Sequence, residues 1–383
     1  MEYLSFSFPE YLLTGILFVL FLVQTLYLVF YNRLSSFIRK KNINEEEIPL
    51  TSSYPPVSIV IAVHNQAVLL QQNLPYIMGQ EYSEFEVIIV NDTSTDDTDN
   101  VLASLKTKYP NLYYTFIPNS SRNPSHKKLS LSLGIKACKN EWIVFTEPDC
   151  IPSSPLWLQR MARNFTPDTE IVLGYSRYPK EKGYFYSKIR LLNLFDQARF
   201  LLFAAIGKPY MGYGRNLAYR KSLFFKHNGY SGYLNRKRGE DDLFLNRVAC
   251  KENTQVELSP ESIMEISPLP TPRLWRYEQR ERKETYQLLK GSQPSFWRME
   301  AISRILFLLT SNAVLIYGLL IQQWLLAALA CLLILTRFIL FLSFTHKICK
   351  LLQEPTFKTL LFFFTGIQFI HSLKSYKNHL SKN

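Results

Sequence analysis

Two carboxylates, Glu147 and Asp149, stand one residue apart directly after the apolar run Trp142-Ile143-Val144-Phe145. A short hydrophobic run that stops at Thr146-Glu147-Pro148-Asp149-Cys150 reads as a buried strand ending where two acids emerge. In an open α/β sheet, ligands bind at the carboxyl ends of the strands. Two oxygen donors in that place suit a hard divalent cation, which in turn suits a nucleotide diphosphate. The plain alternative is a solvated loop, and the other chemistry-bearing residues shift the balance away from it.

Upstream, one apolar run ends in Val63-His64-Asn65 and another in Val90-Asn91-Asp92, followed by Thr93-Ser94-Thr95-Asp96-Asp97-Thr98. A carboxylate at such a strand end can accept hydrogen bonds from a base or ribose, which is the expectation for Asp92. Ser, Thr and Asp also cap helices, which is the expectation for Thr95 to Asp97. Lys127-Lys128 opens a helical pattern and could face phosphate or merely solvent. The run Gly212-Tyr213-Gly214-Arg215-Asn216 is glycine-rich and basic. Its glycines permit close backbone approach, and Asn216 is a candidate ligand contact. Glu240-Asp241-Asp242 precedes an apolar helical pattern: either acids favoured at a helix N-terminus, or a general base beside the metal site. Arg282 lies in a basic stretch from Arg273 to Arg298, where it could close over a pyrophosphate while the stretch binds anionic lipid.

The elements needed to position these groups are visible as patterns. Strands are predicted at Val57–Val63, Val87–Val90, Tyr113–Ile117, Trp142–Phe145 and Ile171–Leu173. Helices are predicted near Ala67–Met78, Thr98–Lys108 and Lys127–Ala137. Such alternation argues for an α/β fold with a mostly parallel sheet flanked by helices.

The chain of 383 residues carries a formal charge of +13 with 47% hydrophobic residues, a mix that suits nucleic acid or an anionic membrane surface. No helix-turn-helix, RNA-recognition or zinc-finger pattern is present, so nucleic acid is not an expected partner. The five scattered cysteines contain no C-x-x-C, which argues against a zinc site or disulfide framework. Leu12 to Tyr31 is free of charge and long enough for one bilayer crossing. Arg33, Arg39, Lys40 and Lys41 follow it, which predicts a cytoplasmic location for what comes next. Ile305 to Thr336 is also uncharged and about 48 Å long as a helix, too long for one crossing. It is read as a hairpin, about 302–321 and 324–345, turning at Gln322-Gln323. Arg337 would either snorkel or face the protein. A third apolar stretch, about 359–373, could cross the membrane or lie along it. The expected organisation is an anchor at 1–41, a cytoplasmic domain at 50–300 and a C-terminal membrane region at 301–383.

These pieces, in this order, resemble the family 2 glycosyltransferases, inverting enzymes of the GT-A fold, from about Val57 to Lys283. Val57 to Asn65 is similar to the family's opening strand. Asn91-Asp92-Thr93-Ser94-Thr95-Asp96 is similar to D-D-x-S-x-D, and Lys127-Lys128 to a downstream lysine patch. Glu147-Pro148-Asp149 falls where the family carries D-x-D, Glu240-Asp241 where it carries E-D, and Gln279 to Lys283 resembles Q-x-x-R-W. The resemblance implies a nucleotide-sugar donor, a UDP-sugar first, and a lipid-linked or envelope-glycan acceptor. It implies Mg2+ or Mn2+ on Asp149 and Glu147, and Asp241 as general base with Asp242 as the alternative. Asn65, Asp92, Lys127, Lys128, Asn216, Gln279 and Arg282 would contact substrate. Glu147 departs from the first Asp of D-x-D, and Lys283 from the Trp, which speaks against processive polymer synthesis. A processive synthase, and a non-catalytic sugar-nucleotide sensor, are the competing expectations.

Overall fold

The computed structural model describes residues 7–46, 54–117, 126–355 and 357. Contacts divide the chain into two compact units, residues 38–290 and the combination of 1–37 with 291–383.

In the first unit, β1 (Val57–Val63), β2 (Phe85–Asn91), β3 (Leu112–Phe116) and β4 (Trp142–Phe145) pair in parallel in the order β3-β2-β1-β4. β1 and β2 are almost wholly buried, as expected of central strands covered on both faces. Their crossovers are α2 (Ala67–Met78), α3 (Thr98–Lys108) and α4 (His126–Ala137). Gly134 lets α4 seat on the sheet: a Cβ there would lie 2.6 Å from the Val60 side chain. Two buried polar groups, Ser58 and Glu86, satisfy one another at 2.6 Å, and Glu86 also accepts from the Lys139 N–H at 2.7 Å.

The sheet continues through shorter strands. β5 (Cys150–Pro152) leaves it after β4 and is followed by α5 (Trp157–Ala162), β6 (Ile171–Leu173), β7 (Ser176–Arg177) and the long α6 (Tyr184–Ala205). Then come β8 (Leu217–Arg220), α7 (Lys221–Lys226), α8 (Asp242–Val248), β9 (Thr254–Val256), β10 (Met264–Ile266) and α9 (Pro272–Tyr286). The seven-stranded sheet runs β3-β2-β1-β4-β8-β6-β9, with β8 antiparallel to both neighbours, and β5-β10-β7 form a small second sheet. The predicted strands and helices thus stand within a residue or two of their expected ends. α6 and the short strands β5, β7, β8, β9 and β10 went unpredicted, because so few residues show no periodicity and α6 buries residues around much of its circumference.

The second unit holds three helices long and apolar enough to cross a membrane: Phe8–Lys40 within α1 (Phe8–Glu46), α10 (Ser292–Leu320) and α11 (Trp324–Leu351). α10 begins about ten residues before the expected start. The reason is its aromatic first turns, where Phe296 packs on Tyr27 and Phe30, and Trp297 on Tyr31. The hairpin turn falls at the expected Gln322-Gln323, where Gly318 allows close approach, since a Cβ would meet the Ala327 backbone N at 2.9 Å. The apolar stretch at 359–373 lies outside the described residues.

Arg337 faces the protein. It is buried and donates two hydrogen bonds to Gln24 Oε1, at 2.8 and 3.2 Å, while Gln24 Nε2 donates to Ser303 Oγ at 2.8 Å. Gln24 therefore ties α1 both to α11, through the guanidinium, and to α10, through Ser303, inside an apolar bundle. Gln24→Leu removes its acceptor and is expected to cost about 1–2 kcal/mol of stability in detergent, whereas Gln24→Leu/Arg337→Leu recovers most of that loss. Additive losses in the double variant, read by thermal unfolding, would show that the pair is not coupled.

Candidate active site

The parallel strands end on one edge of the sheet, and the sequence-predicted residues emerge there. Asn91 pairs with Val63 and Phe145 with Val60, so β2, β1 and β4 deliver Asp92, Asn65 and Glu147 in the same direction. Asn65 and Thr93 adopt left-handed backbone conformations, with φ of 52° and 51°. Asn65 Oδ1 accepts from the Thr95 N–H at 2.7 Å, and Asp96 accepts from the N–H groups of Ala67 and Thr98 at 3.0 and 3.2 Å. Asp96 thus caps the starts of both α2 and α3. Asp92 is buried, and its carbonyl is bonded to His64 Nδ1 at 2.6 Å.

Glu147 is the centre of the charge network. Its Oε1 lies 2.6 Å from Lys127 Nζ, at the first turn of α4, and its Oε2 lies 2.7 Å from Arg215 Nε, in the loop before β8. Lys127 Nζ also lies 3.1 Å from Glu240, and Arg215 Nη2 lies 3.6 Å from Asp149 Oδ2. Four segments far apart in sequence are joined by these pairs. Charge-assisted hydrogen bonds are about twice as strong as neutral ones, so the groups hold one another in place. Burial opposes ionisation of Glu147, but Lys127 and Arg215 outweigh it and hold the carboxyl well below its ordinary range. Burial likewise opposes the charge on Lys127, which Glu147, Glu240 and Asp241 nonetheless keep above the usual lysine value.

Asp241 sits at the other side of this network. Its Oδ2 accepts from the Gly214 N–H at 2.8 Å. Burial, reinforced by the charge of Glu240, lifts it from an ordinary 3.8 to about 7, with Lys127 acting in the opposite direction. A carboxyl balanced near neutrality can take up or release a proton at low cost. Asp242 begins α8, accepts from the Leu243 N–H at 2.9 Å, and is pushed up by burial against a hydrogen bond from Thr285 of α9. Arg282 lies on the same helix, its guanidinium 4.6 Å from the Tyr213 ring, next to Gly214. Gln279, one turn earlier, is half-buried.

Two candidates differ from expectation. Lys128 is fully buried and donates to the carbonyls of Arg236 and Arg238 at 2.6 and 3.0 Å, so it anchors the loop before Glu240 instead of facing a ligand. Asn216 is also buried. Its amide donates to the carbonyls of Tyr175 and Ser262 at 2.9 and 2.8 Å, and its Oδ1 accepts from Trp157 Nε1 at 3.0 Å. It therefore locks the loop that carries Gly214 and Arg215. Arg215 was not singled out in the sequence; its place beside two glycines was the one available signal.

No group of three or more His, Cys, Asp or Glu side chains that could hold a metal occurs among the described residues. The donor set suits a metal carried largely by the substrate's own oxygens, as is usual for Mg2+ with phosphates. Asp149 fits that role: its Oδ1 has only a weak contact with Cys150 Sγ at 3.5 Å, and its Oδ2 stands beyond hydrogen-bond distance from Arg215.

Residues 58–234 match the family model described as glycosyl transferase family 2. A GalNAc(5)-diNAcBac-PP-undecaprenol beta-1,3-glucosyltransferase of Campylobacter jejuni is 26% identical over 95 residues, 25% of this chain and 30% of the relative. Glycosyltransferase AglE of Haloferax volcanii is 30% identical over 113 residues, 29% and 36% of the two chains. The matches thus span about a third of these relatives' length. A mannosyltransferase from Pyrobaculum calidifontis, solved in complex with GDP-Man and Mn2+, aligns with a TM-score of 0.55 at 17% identity, covering 84% of this chain and 96% of that one. That likeness is one of fold.

The contact between Gly214 and Asp241 is close enough to test. A Cβ on Gly214 would lie 2.5 Å from the Asp241 carboxylate. Gly214→Ala is expected to cost about 1–3 kcal/mol in the native background and little when Asp241 is also Ala. Equal costs in both backgrounds, measured by denaturant unfolding, would show that this approach is not what requires glycine.

Proposed function

We propose that the chain is a family 2 glycosyltransferase and that it transfers one sugar, with inversion, from a nucleotide-sugar to a lipid-linked or envelope-glycan acceptor. The observation that carries this reading is Asp241. It is a half-buried carboxyl lifted to about 7, hydrogen-bonded to the Gly214 N–H and joined through Glu240, Lys127 and Glu147 to the strand end that bears Asp149.

Asp241 takes the proton of the acceptor hydroxyl as that oxygen attacks the anomeric carbon, and the donor's bond to its diphosphate breaks on the opposite face. Asp92 and Asn65 receive the nucleoside at the ends of β2 and β1. Arg282, set on Tyr213, faces the diphosphate and offsets the negative charge it gains. Asp149 is the residue that would hold Mg2+ or Mn2+, which supplies further neutralisation of the leaving diphosphate. Glu240, paired with Lys127, raises Asp241 into the working range. The donor is a UDP-sugar by resemblance. A cytoplasmic placement is supported by Arg33, Arg39 and Lys40, which follow the uncharged stretch within α1, and binding to anionic lipid by Arg273, Arg276, Arg280 and Lys283 on α9.

The direct test incubates the full-length protein in detergent with a nucleotide-sugar panel, Mn2+ and extracted lipid-linked acceptors, and weighs the product. One added sugar is expected; a polymer ladder would replace this reading with processive synthesis. Asp241→Asn should retain donor binding and lose about 10²–10⁴-fold in kcat. Because the base works deprotonated, kcat/KM should fall as pH drops below about 7. Glu240→Gln removes a like charge, so that limb should move to lower pH. A native profile that stays flat from about pH 5 to 9 would rule out Asp241 as the titrating base.

A further inference from the structure

We propose that the turn at residues 234–238, which runs into Glu240 and Asp241, is a docking platform for the acceptor, and that Arg236 and Lys237 on it select an acceptor carrying a phosphate near the hydroxyl that receives the sugar. This rests on the transfer reading above and names the chemical class of the acceptor.

The chain between α7 and α8 is held at both ends by cations that bond to backbone. At its start, Arg247 of α8 donates to the carbonyls of His227 and Gly229 at 2.7 and 2.6 Å. At its end, Lys128 donates to the carbonyls of Arg236 and Arg238 at 2.6 and 3.0 Å. The Arg236 N–H closes the turn onto the Tyr233 carbonyl at 3.1 Å. Lys128 has no exposed surface, and withdrawing an ammonium from water is costly unless other acceptors replace the water. What these contacts secure is the path of the backbone. The side chains of Leu234, Asn235, Arg236 and Lys237 are left on the surface.

The platform stands next to the proposed base. The Lys128 ammonium that grips the Arg236 carbonyl also lies 3.9 Å from Glu240 Oε2, so one buried nitrogen fixes the turn relative to the acids. Arg238 leans toward α9, its Nη2 4.0 Å from Glu278 Oε1. Arg236 and Lys237 are the exposed cations of the turn. A phosphate arriving beside Glu240, Asp241 and Asp242 would meet like charge, and two cations on the adjoining turn offset it. A guanidinium fork takes two phosphate oxygens at once. A neutral glycan needs no such pair, and the four exposed side chains include no aromatic ring on which a sugar face stacks. The diphosphate of a lipid carrier and a phosphate within a glycan present the same oxygens to the turn.

The test uses defined probes, with the donor site filled by UDP and Mn2+. Fluorescent undecyl diphosphate stands for the lipid carrier and a fluorescent glycerol-phosphate trimer for a glycan phosphate, each paired with its dephosphorylated analogue. Binding to the full-length protein in detergent is read by polarisation. At least one phosphate probe should bind about tenfold or more tighter than its analogue. Arg236→Met/Lys237→Met should lose that preference, and Arg236→Lys/Lys237→Arg should keep the larger part of it. Preference for the lipid probe alone assigns the phosphate to the carrier, and preference for the trimer alone assigns it to the glycan. Unchanged UDP affinity in the Met variant separates loss of the platform from loss of the fold; if that variant melts early, Arg236→Gln carries the same comparison. In the transfer assay the Met variant should raise the acceptor KM about tenfold and leave kcat within about twofold. Native protein that binds phosphorylated and dephosphorylated probes alike, or a Met variant that keeps the native preference, would overturn the proposal. Failure of the nucleotide-sugar reading would show separately, as neither UDP nor any donor in the panel shifting the melting temperature of the native protein.

Discussion

Everything at the sheet's ligand edge depends on a single half-buried carboxylate, Glu147, holding Lys127 and Arg215 at hydrogen-bonding distance. Without it, two cations from separate parts of the chain would repel each other in a partly desolvated space. With it, α4, the end of β4 and the loop before β8 become one electrostatic unit, and Lys127 carries the link onward to Glu240 and hence to the neighbour of Asp241. The state of Asp241 follows from this arrangement. Burial and the adjacent Glu240 raise it, Lys127 restrains it, and the outcome lies near neutrality.

The scaffold explains why so few residues suffice. Parallel strands buried on both faces carry few polar side chains along their length, so β1, β2 and β4 concentrate them where they end, on one edge. The opposite requirement, rigid loops on that edge, is met by buried polar side chains that bond to backbone. Lys128 grips the segment before Glu240, and Asn216 grips the segment after Arg215. Glycines complete the packing: Gly214 admits the Asp241 carboxylate, and Gly134 admits the Val60 side chain. The membrane helices solve the same problem of buried polarity in another solvent, with Gln24 accepting from Arg337 where no water is at hand.

Much of this was legible in advance where the physical signal is local. A run such as Val57–Val63 can only be a central strand, and Thr98–Lys108 carries helical spacing and a cap, so their bounds coincide with expectation. The same applies to the uncharged stretches that became membrane helices. Short strands such as β7 and β10 carry no period, and their pairing is decided by residues far away. Lys127 and Lys128 illustrate the limit most plainly. They are adjacent and chemically alike, yet one faces Glu147 and the other turns into the protein to hold backbone carbonyls, because neighbours on a helix point about 100° apart.

The sequence by itself determined the parallel strands β1 to β4 and the helices between them, the long apolar segments, and which acids and bases stand at strand and helix ends, since all of these depend on local spacing and residue type. The tertiary structure alone decided which charges meet. Glu147 was a candidate metal ligand by its position after β4, and the fold made it the partner of Lys127 and Arg215. Asp241 was one of three consecutive acids, and the fold singled it out through the Gly214 N–H and the neighbouring charge of Glu240. Partner identity and burial set the charge state of a side chain, and neither can be read until distant segments are brought to within a few ångströms of each other.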